Sequence, residues 1–322
     1  VRWPGKARLD REIGRLGSEV ADLRLADAEH QAARLLLAQW MEWLRAEGGL
    51  ARAQAQLALV LRDCDAIQRR VRAGDAALRD LDSAQAVVAQ TQAQVTAATA
   101  RREDARIALA ATFPQIPLPE RAPVLPEPVP DGEDAQLHID RIIGRSHEIG
   151  AAEREAERLD RAARRARADR RPDPSVGLRW LDERGGEERS LGVVVSIPFG
   201  GALRSAGADA QRASADAGSA LAEGMRRTIR REAEQTVRHA DAAYQLWRDS
   251  QRALEAVRAS TARTRRAYAL GEAGIAELVA AQRQEQESAL AESDARANAL
   301  EAALLIRVDA HELWHDGDEG DT

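Results

Sequence analysis

Apolar residues recur at three- and four-residue steps over two long stretches of the chain, as in Leu23, Leu25, Ala28, Ala32 and Leu36, and again in Ile275, Leu278, Val279 and Ala281. Carried by Ala, Leu, Arg, Glu and Gln, that spacing predicts amphipathic helix. Proline sets the limits. It stands at position 4, seven times between 114 and 130, at 172 and 174, and at 198, so 5–113 and 199–322 contain no helix breaker. The proline-rich segment 113–134 is expected to run extended over a surface. Residues 135 to about 169, dense in Arg and Glu, are expected to form a third helix.

Strict alternation appears only at 175–197. Val176, Leu178 and Trp180 fall on one face, with Ser175, Gly177 and Arg179 on the other. Beyond a charged turn at 182–189, Leu191, Val193, Val195 and Ile197 again share a side. The two runs predict a β-hairpin. With its flanks each strand has about the 9–11 residues of a tilted membrane-barrel strand. The edge of a soluble sandwich alternates in the same way, so this pattern alone favours a barrel only weakly.

The helical tracts repeat each other. Gly74-Asp75-Ala76-Ala77-Leu78-Arg79-Asp80-Leu81 corresponds to Gly271-Glu272-Ala273-Gly274-Ile275-Ala276-Glu277-Leu278, an offset of 271 − 74 = 197. Arg69-Arg70 and Arg265-Arg266 precede the two glycines, and Gly5 and Gly201 open the two tracts, 201 − 5 = 196 apart. Two copies of one unit are present: a long helix, a glycine turn and a return helix. Gly5 to Gly74 is 69 residues and Gly201 to Gly271 is 70. At 1.5 Å per residue each helix reaches on the order of 100 Å. Glycine followed by an acid suits a tight helix–helix turn, since glycine accepts positive φ and the acid suits the start of the next helix.

Composition agrees with long, closely packed helices. Aromatic residues make up 3% of the 322, Ala supplies roughly a fifth, and Lys6 is the only lysine among 47 basic residues. The net charge of −6, with signs interspersed, argues against a nucleic-acid partner. No run of eighteen uncharged apolar residues exists, which excludes a conventional transmembrane helix and leaves a β-barrel open. Cys64 is alone, so there is no intrachain disulfide. The opening Val1, without Met, signal peptide or acylatable cysteine, reads as a processed chain or a fragment.

At these residues the chain resembles the outer-membrane efflux family, the TolC-like trimeric channel-tunnels of Gram-negative bacteria. The likeness is carried by Pro172-Asp173-Pro174-Ser175-Val176-Gly177-Leu178, by 191–201 with Ile197-Pro198-Phe199-Gly200-Gly201, and by the turn pattern of Arg266, Tyr268, Gly271, Ile275, Glu277 and Leu278. Trp3-Pro4-Gly5-Lys6 is similar to the heavy-metal and cation efflux branch. The resemblance implies a mainly α fold: long antiparallel helical hairpins in two repeats, with strands given to a shared trimeric membrane β-barrel. Its implied partners are two further copies, a periplasmic adaptor, an inner-membrane pump reached through the adaptor, and outer-membrane lipid. The family's N-terminal helix and first strand have no counterpart, and only Val1-Arg2-Trp3 could remain of the second strand. The expected organisation is a first repeat at 1–112, a linker at 113–134, a second repeat at 135–315 and a disordered tail at 316–322.

The expected function is a passive efflux duct in the outer membrane for metal ions or small toxic compounds, with a periplasmic tunnel, no enzymatic turnover and no cofactor. By position, the resemblance makes Asp80 and Glu277 the gate acids; solvated helix acids are the competing reading. It also makes Val71, Gly74, Leu78, Leu270, Gly271 and Ile275 the adaptor-docking tip, positions that turn packing alone would also explain. Trp3, Val176, Leu178, Trp180, Leu191, Val193, Val195, Ile197 and Phe199 become barrel-strand and girdle residues, with core packing as the alternative. Trp40, Trp43 and Trp247 are expected to be packing residues within the helices. His311-Glu312-Leu313-Trp314-His315 is a literal H-E-x-x-H, which on a helix would set two imidazoles on one face; without a third ligand or a cleft it is not expected to be a protease, and no metal site is expected. The other histidines, including His30, show no ligand spacing. A periplasmic adaptor would show one helical hairpin flanked by β-domain halves, and a coiled-coil scaffold would not need the strands.

Overall fold

The computed structural model describes residues 3–130, 132–171, 173–183, 185, 188–197 and 201–313, with the side chain of Glu183 excepted. Among them the order is α1 (Pro4–Arg72), α2 (Leu78–Thr112), α3 (Ala135–Arg145), α4 (His147–Ala168), β1 (Ser175–Glu183), β2 (Glu188–Ser196), α5 (Ala202–Ala269) and α6 (Ile275–Asp309). The duplication is plain in the lengths: α1 and α5 have 69 and 68 residues, and α2 and α6 have 35 each. Among the described residues no helix is long and apolar enough to cross a membrane.

Two expectations are corrected. The third helix is two, because the Ser146 hydroxyl accepts from the Ile149 N–H at 3.2 Å and starts a fresh helix after Arg145. At the other end α6 stops at Asp309. His311 takes φ 54°, its N–H donates to the Val308 carbonyl and the Glu312 N–H to the Arg307 carbonyl, a capping pattern that turns the chain out of the helix. The helix required to align two imidazoles in the H-E-x-x-H run therefore ends before that run begins; Trp314, His315 and the tail 316–322 lie outside the described residues.

The chain forms two compact units that cut across the repeats, each taking segments from both. The first comprises 1–30 and 139–233. In it α1 and α4 are joined by Arg165 to Asp10 at 2.8 Å and Arg161 to Glu12 at 3.2 Å, over buried Leu16, Val20, Ile149 and Ala163. α5 meets α4 closely, since a Cβ on Gly218 would lie 2.6 Å from Leu159. The hairpin also belongs here.

The second unit comprises 31–138 and 234–322. Here α1 runs antiparallel to α6, as Arg34–Asp309 (3.2 Å), Arg45–Asn298 (2.8 Å), Arg52–Ser293 (2.5 Å) and Asp63–Gln282 (2.8 Å) follow one another. Met41, Trp43, Leu44, Ala105, Leu109 and Ala297 make the larger core cluster. The connector forms neither helix nor strand over its described residues, and Leu118, Ala122 and Leu125 pack on that cluster. Trp247 centres a second cluster with Ala295 and Ala299, its indole N–H held by buried Glu292 at 3.0 Å. Trp43 and Trp247 are each 2% exposed, as packing residues should be.

Candidate functional site: the paired turns and the exposed hairpin

Both interhelical turns are built alike. The Asp75 N–H donates to the Arg70 carbonyl and the Gly74 N–H to the Val71 carbonyl; Glu272 and Gly271 make the same bonds to Ala267 and Tyr268. This closure needs a left-handed residue after the helix, and Gly74 and Gly271 stand at φ 80° and 79°. The turns lie in the second unit and touch, the Arg70 guanidinium sitting 5.3 Å from the Tyr268 ring centre. Gln282 and Gln286, two and three turns down α6, reach Asp63 at 2.8 Å and Gln94 at 2.9 Å. The two hairpins are thus fastened side by side near their tips.

At the tip, Leu78 and Leu270 are 71% and 69% exposed, while Val71 and Ile275 are half-buried. Asp80 and Glu277 occupy the same place, the third residue of each return helix. They differ in use. The Asp80 carboxylate accepts from the Ala77 N–H at 3.4 Å and is only partly exposed, whereas Glu277 faces solvent at a helix whose preceding residue is Gly274.

In the hairpin, Val176 pairs with Val195, Leu178 with Val193 and Trp180 with Leu191. All six therefore share one face, and these six with Ile197 are 56–78% exposed. Two nine-residue strands with an uncovered apolar face and two open edges are not stable in water by themselves. Trp3, also exposed, precedes α1, and its backbone N–H donates to the Asp173 carboxylate at 3.4 Å. Val1, Arg2, Pro172, Pro198, Phe199 and Gly200 lie outside the described residues.

A group absent from the sequence reading is Asp27, His30 and Glu148. Burial pushes the Glu148 carboxyl up, but its own backbone N–H, the Ser146 hydroxyl, His30 and Asp27 outweigh this and hold it below the usual glutamate range. His30 was credited with no ligand spacing in the sequence; Asp27 stands three residues before it on α1, and Glu148 arrives from α4 only through packing.

Solved structures share this arrangement. A membrane protein from Pseudomonas aeruginosa matches with a TM-score of 0.81 at 18% identity, covering 95% of this chain and 71% of that chain. CusC, described in connection with transmembrane channel formation, matches at 0.81 and 15%, over 95% and 74%. The outer-membrane channel CmeC of Campylobacter jejuni matches at 0.80 and 11%, over 98% and 70%. No protein-family model and no curated protein matches the sequence. The chain has the fold of these outer-membrane channel proteins, long paired helices with one small antiparallel β-hairpin among the described residues.

Proposed function

We propose that this chain acts in the outer membrane as one protomer of a homotrimeric channel-tunnel, a passive exit duct of a tripartite efflux system. The observation that carries the reading is the hairpin: its apolar residues are collected on one exposed face, as a lipid-facing strand pair requires. The duplicated helical hairpins supply the tunnel wall, and a periplasmic adaptor docks on the tip at Val71, Gly74, Leu78, Leu270, Gly271 and Ile275. Through the adaptor the duct receives substrate from an inner-membrane pump. Substrates are metal ions or small toxic compounds. Asp80 and Glu277, three copies of each, form the acidic constriction, whose field favours cations. Glu277 carries the larger share, because Asp80 also serves its own helix start.

The test is conductance of the purified protein in planar bilayers. Trimers that conduct with cation preference are expected, and Glu277→Gln should lower that preference more than Asp80→Asn. Protein that stays monomeric, or that leaves the bilayer silent, would overturn the duct; unchanged selectivity in the double variant would remove both acids from the gate.

A further inference from the structure

Away from the turns and the hairpin, the unit made of 1–30 and 139–233 contains a cluster with the chemistry of a metal site. Asp27 and His30 share a face of α1 at i and i+3, and Glu148 stands in the first turn of α4. One donor atom from each lies within 4.8 Å of the other two. His30 is 5% exposed, and both acids are half-buried.

One further feature sets the cluster apart from a chance meeting of surface acids. Glu148 is held in place from outside, since the Ser146 hydroxyl donates to its Oε2 at 2.8 Å while accepting from the Ile149 N–H. Metal ligands need such a supporting shell.

We propose that Asp27, His30 and Glu148 bind one divalent transition-metal ion, zinc by preference, that staples α1 to α4. One imidazole and two carboxylates suit zinc, which accepts three protein ligands and a water, whereas calcium and magnesium favour all-oxygen shells. Ligand atoms at about 2.1 Å from a tetrahedral ion stand about 3.4 Å apart. Closing from at most 4.8 Å to that spacing needs side-chain movement of about an ångström, because Arg165–Asp10 and Arg161–Glu12 already hold the helices together. The site stands on the unit's own geometry and does not depend on the channel reading.

The whole chain, stripped with chelator, is titrated with cobalt(II) as a spectroscopic probe and then with zinc. One saturable ion per chain, a visible low-coordinate cobalt spectrum and its displacement by zinc are expected. His30→Ala should weaken binding by about tenfold or more, and the near-isosteric Asp27→Asn should do the same with helicity intact. Zinc should raise the Tm of the native chain and leave that of His30→Ala unchanged. Replacing His311 and His315 by alanine should leave uptake as it was. Absence of saturable binding to the native chain, or binding that survives His30→Ala and is lost with His315→Ala, would overturn the site.

Discussion

Lys6 is 4% exposed, and its ammonium lies 3.0 Å from Asp169, 3.0 Å from Asp173 and 2.8 Å from the Arg171 carbonyl. Three donors on a compact charge meet three acceptors, a geometry the flat fork of arginine does not reproduce. In a chain that uses arginine everywhere else, this is the physical reason for the one lysine. Burial pushes the Asp169 carboxyl up, but hydrogen bonds from Arg165 and Lys6 bring it below the ordinary aspartate value of 3.8. Asp173 is lowered first by its hydrogen bond from Lys6. A carboxyl with a depressed folded pKa stabilises above its unfolded pKa, and the stabilisation is lost as pH falls through the folded value. Lys6→Met should therefore lower the urea midpoint at neutral pH, where both carboxylates lose a charged donor. The gap between variant and native urea midpoints should narrow below about pH 3.8. Equal midpoints at pH 7 would show that Lys6 does not anchor the start of α1.

At the next scale up, the glycine turns set where each long helix reverses. A Cβ placed on Gly74 or Gly271 would meet nothing within 4 Å, so substitution there reports backbone conformation alone. Gly271→Ala should cost about 1 kcal/mol and Gly271→Val about 1–3 kcal/mol, read as urea midpoints with the slope unchanged. A Val variant as stable as the native chain would mean that the turn relaxes to another geometry. These turns were legible in the sequence because their determinants are local: a glycine, an acid and a return helix, written twice. The alternating strands were legible for the same reason, although they run past the expected turn at 182–189: Asp182 pairs with Arg189 and Glu183 with Glu188. The break at Ser146 was missed because a single capping hydroxyl sits in an Arg- and Glu-rich run whose helical periodicity continues through it. The end of α6 was missed because His311, in a conformation usually left to glycine, terminates it. The Asp27–His30–Glu148 cluster was missed since its third member, Glu148, arrives from another helix through packing, which no sequence spacing records. The candidate tip and gate residues were carried over by position from the family resemblance, and only the structure separates a capping Asp80 from an open Glu277.

For the molecule as a whole, the shortage of aromatics and the bare hairpin have a common cause: burial within one chain is thin. In the first unit the buried positions of α5 include Ala208, Ala215, Ala222 and Ile229, and in the second Trp247, Leu254 and Thr261, each series at seven-residue intervals. That interval is the seam of a coiled coil, one line of contact per helix, filled mostly by small side chains. Leu203, Leu221 and Leu246 remain outside the seam and exposed. On the channel reading proposed above, such a chain reaches its full burial against neighbouring copies, and the hairpin's apolar face meets lipid. A charge on its apolar face is then the decisive perturbation. Leu178 and Val193 are paired across the middle of the two strands, where an arginine facing the bilayer midplane costs about 2–4 kcal/mol. Leu178→Arg should cut the fraction recovered in the outer membrane severalfold while helix content by circular dichroism stays native, because the side chain has little to lose in the isolated chain. Arg179→Leu, on the opposite face, should leave recovery unchanged. If Leu178→Arg inserts as well as the native protein, the apolar face does not meet lipid, and the strands must be covered by protein instead.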